Sequence, residues 1–130
     1  MTVDRLAALR RLTEAVSRAR QMELAKLRRE EDRLRQRLAG IEAARANSLE
    51  HLDPDAPAAR SGAVMAWQGW VDAKRAGING DLATLRARMI AARDALNEAH
   101  GRDQALRGAT KKLLAQGTAL TRRRKDNRGD

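Results

Sequence analysis

The chain has 130 residues and a net charge of +10, from 27 basic and 17 acidic groups. Two Trp are its only aromatics, charged residues make up 34 %, and there is no Cys. That excludes a disulfide frame and a thiolate metal site, and it matches long helices rather than a sandwich or an α/β sheet.

The opening MTVDRLAALRR carries a charge every few residues and has no apolar core, so it does not read as a signal peptide. No run approaches about 18 apolar residues, so no membrane-spanning helix is expected. From residue 3 to residue 50 there is no Pro and one Gly, and a helix is predicted, capped by Thr2 or Asp4. Val16, Leu27, Leu38 and Leu49 recur every eleven residues, flanked by Leu12, Ala19, Leu24, Leu34 and Ile41. That spacing predicts one apolar face on a nearly straight helix. Opposite charges one turn apart, Glu31 with Arg35 and Asp32 with Arg28, predict local ion pairs.

Residues 51–60, HLDPDAPAAR, hold both Pro of the chain. Pro disfavours helix at its own position and at the one before it, so this is the turn of a helical hairpin. A second helix is predicted over 61–121, with Ser61 as its N-cap. Every seventh residue from Val64 is apolar: Val71, Ile78, Leu85, Ala92, Ala99, Leu106, Leu113 and Leu120. A seven-residue apolar repeat is the seam of a coiled coil. A second row starts at Trp67 and shifts by one position to Leu82, Met89 and Leu96. The basic tail 122–130 has no apolar residue and is expected to be disordered or weakly helical. The fold class is therefore all-α: two long helices in an antiparallel coiled-coil hairpin. The other arrangement is a parallel homodimer through the 64–120 seam.

Matching apolar residues alone folds the hairpin about residues 55–56, so that facing residue numbers add to about 111. Leu49 then meets residues 62 and 63, Ile41 meets Trp70 and Val71, and Leu34 meets Gly77 and Ile78. Leu27 meets Leu85, Val16 meets Leu96, Leu12 meets Ala99, and Leu6 meets Leu106. Residues beyond about 108 are left without a partner, among them Leu113, Leu114 and Leu120. The charge excess sits at the same end, where residues 107–130 carry 8 basic and 2 acidic groups. That asymmetry points to an acidic partner.

Nothing predicts chemistry. His51 and His100 lie far apart and have no second ligand at metal spacing. A two-helix rod offers no concave pocket, and Gly77-x-x-Gly80 is not followed by the Lys-Ser/Thr of a phosphate loop. The chain is read as a non-enzyme with no cofactor, no metal and no small-molecule substrate. Trp67 and Trp70, beside the turn, are a structural staple or a partner anchor. Arg122, Arg123, Arg124 and Lys125 are a solvated tail, a dock for an acidic protein surface, or a contact to nucleic acid or anionic lipid. Against nucleic acid stands the lack of interleaved aromatics for base stacking.

The chain resembles the flagellar export protein FliJ and the YscO-type stalk proteins of type III secretion. The resemblance lies in the opening helix LAALRRLTEAVSRARQMELAKL, a short turn, and Trp67-Gln68-Gly69-Trp70 opening the return helix. The stretch AARDALNEAHGRDQALRGATKKLL and the basic tail complete it. The Gly-rich second helix and the Pro-containing turn depart from it. The resemblance implies a cytoplasmic stalk, associated with the inner membrane only through the export apparatus. Its implied partners are a hexameric export ATPase, the export gate protein and export chaperones. Leu113, Leu114, Leu120 and Arg122–Lys125 would then dock on the ATPase ring, and Trp67 and Trp70 would support the turn or anchor a second partner. The alternative is a basic coiled coil that binds nucleic acid non-specifically.

Overall fold

The computed structural model describes residues 2–57 and 62–129. Two helices pack against each other as a helical hairpin: α1 (Val3–Glu50) and α2 (Ala63–Arg128), with no strand among the described residues. By contact the chain divides into two compact units. The terminal unit is Met1–Leu24 with Ala91–Asp130, and the turn unit is Ala25–Ile90.

The N-terminus of α1 is closed by Thr2, whose Oγ1 accepts from Arg5 N at 3.3 Å while its carbonyl accepts from Leu6 N at 3.1 Å. Of the two capping candidates it is therefore Thr2 that caps, and Asp4 sits in the first turn against the helix dipole. The last turn of α1 passes into the bend through His51 N to Asn47 O at 3.1 Å and Leu52 N to Leu49 O at 3.4 Å. Asp53 then organises the chain before Pro57. Its carboxylate accepts from Asp55 N at 3.0 Å, and its carbonyl accepts from Ala56 N at 3.1 Å. Gly62 enters α2 with a φ of +80°, in the left-handed region where a side chain would be strained. Ser61, the predicted cap, lies outside the described residues.

Two expectations need correction. First, α2 does not stop at 121 but continues to Arg128, so the basic tail is helical as far as that residue. After the turn no Pro interrupts it. Lys125 and Arg128 sit in its last turn, where positive charge complements the helix dipole.

Second, the eleven-residue stripe on α1 is only partly the buried face: Leu24, Leu27 and Leu34 are buried and Leu38 and Ile41 half-buried, but the rest is not. Leu12 is 60 % exposed, Val16 38 % and Leu49 43 %. The buried and half-buried residues of α1 are instead spaced three and four apart. One row runs Leu6, Thr13, Leu27, Leu34 and Ile41. The other runs Arg10, Ser17, Leu24, Glu31, Leu38 and Arg45. Both have the seven-residue period of α2, whose second row runs Arg75, Leu82, Met89, Leu96, Asp103 and Thr110. Two helices of one period keep a continuous shared seam.

The register follows from contacts within each unit. In the terminal unit Thr13 meets Asp103, whose numbers add to 116, and Ser17 meets His100, which add to 117. In the turn unit Glu42 meets Arg75 and Arg45 meets Asp72, both adding to 117. The register that apolar matching favours is thus displaced by about five residues, roughly 7.5 Å at about 1.5 Å per residue. Leu6 comes level with Thr110 rather than Leu106, and Val3 comes level with Leu113. The predicted ion pair between Glu31 and Arg35 forms, at 3.2 Å.

Candidate partner-binding surfaces

Leu113, predicted to be bare, is half-buried and lines a groove with Val3, Leu114, Gly117, Thr118, Thr121, Arg122 and Lys125. The shifted register explains it, since the first turn of α1 reaches further along α2 than apolar matching places it. Leu114 and Leu120 stay 53 % and 56 % exposed. Arg122, Arg123, Arg124 and Lys125 are all exposed on the continuing helix. The helix gives them a regular spacing, which a disordered tail would not.

The structure separates the two Trp. Trp67 is half-buried in an apolar groove with Leu49, Leu52, Ala63 and Val64, so it braces the turn. Trp70 is 56 % exposed and lies beside a shallow groove of Gly40, Ile41, Ala44 and Val71. Lys74 Nζ stands 5.6 Å from its ring centroid, a cation–π contact that holds the ring face. Of the pair, Trp70 is the more exposed.

A polar cluster in the terminal unit escaped the sequence reading. The Thr13 hydroxyl donates to Asp103 Oδ1 at 2.9 Å, and Arg107 Nε donates to Asp103 Oδ2 at 2.9 Å. Arg107 and Arg10 both lie 3.6 Å from Glu14 Oε1. One layer along, Ser17 Oγ and His100 Nδ1 are hydrogen-bonded at 3.2 Å. Ser17, Asp103 and Thr110 are all buried. The network joins the two helices through charge-assisted bonds, which are the stronger kind. Seven-residue steps from Leu82, Met89 and Leu96 land on Asp103 and Thr110, and that was the available signal.

Among the described residues no three His, Asp or Glu gather as metal ligands, and no helix is long and apolar enough to cross a membrane. Comparison with family models, with curated proteins and with solved structures finds no match to this chain.

Proposed function

We propose that this chain is a non-enzymatic stalk or adaptor of a bacterial flagellar-type export apparatus. It docks on the hexameric export ATPase ring through the end of α2 and reaches the export gate protein or export chaperones through the Trp70 face. The observation that carries this reading is the continuation of α2 past the capped start of α1, with Arg122, Arg123, Arg124, Lys125 and Arg128 on it. A protruding basic helix suits an acidic ring surface, because clustered like charge steers an oppositely charged partner and speeds encounter. The resemblance to the FliJ and YscO-type stalks supplies the particular apparatus.

The test is capture of the export ATPase by the full chain and by a variant with Arg122→Glu, Arg123→Glu and Arg124→Glu. Charge reversal keeps the helix length, which deletion of 119–130 would not. Capture should fall sharply while far-UV circular dichroism is unchanged. Undiminished capture would remove the docking assignment. Binding of duplex DNA that collapses from low to physiological salt, with no ATPase captured, would instead favour the nucleic-acid reading.

A further inference from the structure

The coiled-coil seam does not end where α1 ends. Past Val3, which is level with Leu113, the two α2 rows continue as Leu120 on one and Gly117 and Arg124 on the other. Of the described α1 residues, Val3 alone lines the groove that holds Gly117, Thr118 and Thr121, and Leu120 and Arg124 further along α2 stay exposed. A stretch of about 14 helical residues is marginal in water on its own. This one contains a Gly, which weakens it further. Packing against a partner would supply what propensity does not.

We propose that the end of α2 is half of a coiled-coil seam whose other half is an acidic amphipathic helix of a partner protein. The inference deepens the stalk reading and rests on it for the identity of the docking end.

Three features define the occupant. The exposed Leu114 and Leu120 ask for apolar residues opposite them, since burying them against hydrocarbon is what stabilises such a pair. Gly117, in the other seam row, carries no side chain and so puts no bulk in a partner's way. Residues 115–128 carry five basic groups and one acidic, Asp126. Arg124 falls in the seam row itself, where a covered guanidinium needs a carboxylate opposite it. These charges also disfavour a second copy of this end, which would set Arg123 and Arg124 against like charge. A nucleic acid would satisfy the charges but leave Leu114 and Leu120 uncovered, and residues 107–130 hold no aromatic to stack on bases.

The experiment uses the full chain and a labelled synthetic peptide of about three heptads, with Leu and Ala at seam positions and Glu on the flanks. A control peptide has the same composition with its Leu moved off the seam. Fluorescence anisotropy and circular dichroism should show the seam peptide binding and gaining helix, with the control at least about tenfold weaker. Leu120→Glu should weaken the seam peptide by a similar factor; Leu120 is exposed, so the thermal melt of the variant should match the parent. Equal binding of the two peptides, indifference to Leu120→Glu, or tighter binding of duplex DNA than of the seam peptide would each overturn the inference. ATPase capture that survives Leu120→Glu yet needs Arg122–Lys125 overturns it and leaves the stalk reading standing. Peptide binding without ATPase capture does the reverse.

Discussion

The two units of this hairpin are built on one heptad pattern but fill it differently. The turn unit buries Leu27, Leu34, Val71, Ile78, Leu82 and Leu85. The terminal unit buries Leu6, Leu24 and Ala99, together with all three of the buried polar residues described, Ser17, Asp103 and Thr110. Each fully buried Leu, Ile or Val contributes about 1.5–3 kcal/mol relative to exposure. A buried polar group contributes little beyond matching its own desolvation when it is hydrogen-bonded. The turn unit is thus held mainly by apolar burial. The terminal unit is held by less burial and by a network that rewards one register over its neighbours. The division teaches that a seam can be specified by its polar layers while its apolar layers supply most of the stability.

The largest expected effect lies in the turn unit. Leu34→Ala or Leu82→Ala should destabilise by about 2–5 kcal/mol, the range for truncating a buried Leu. Chemical denaturation would measure it, and a loss comparable to that of Leu114→Ala, an exposed position, would break the comparison.

Next is the polar layer of the terminal unit. Asp103→Ala breaks the link between the helices, leaving Thr13 the Arg10 carbonyl and Arg107 the Glu14 carboxylate, and should cost about 1 kcal/mol. Asp103→Leu with Thr13→Leu removes both polar partners and should recover that loss or exceed it, as apolar replacement of buried polar pairs often does. Disulfide trapping of cysteines placed level with each other should then show more than one register in the double variant. A single register there would mean that the polar layer does not set it.

Gly62→Ala should cost about 1–2 kcal/mol, because it places a side chain in the left-handed region. The smallest effect belongs to Glu98→Ala. It breaks an exposed ion pair with Arg102, at 2.7 Å, and should change stability by less than about 0.5 kcal/mol.

How far the sequence carries this molecule is visible in the same contrast. The Pro pair in 51–60 and the apolar steps from Val64 to Leu120 are sufficient for the hairpin. The register was not legible from apolar residues, because the seam holds Arg10, Thr13, Ser17, Glu31, Arg45, Arg75, Asp103 and Thr110. Matching Leu to Leu ignores half of those layers and slides the helices by more than a turn. Leu12 and Val16 misled for the same reason: each stands one position beside a polar seam residue, at Thr13 and Ser17. At the α2 end, the basic residues were legible but their helicity was not. No apolar residue marks Thr121 to Arg128 as structured, and the capping charges act only once the helix has arrived there. The separation of Trp67 from Trp70 needed the positions of Leu49 and Leu52, which lie across the turn.

The threonines of α2 carry one more consequence. Thr110, Thr118 and Thr121 each send the hydroxyl back to the carbonyl one turn earlier, at 2.8, 3.0 and 2.9 Å. Their only side-chain proton is already spent inside the helix. To anything laid along the groove, Thr118 and Thr121 therefore present a methyl group, and the surface is oilier than its composition suggests. Covering them strands no donor, so Thr118→Val and Thr121→Val, which keep the shape and drop the hydroxyl, mimic what an incoming neighbour feels.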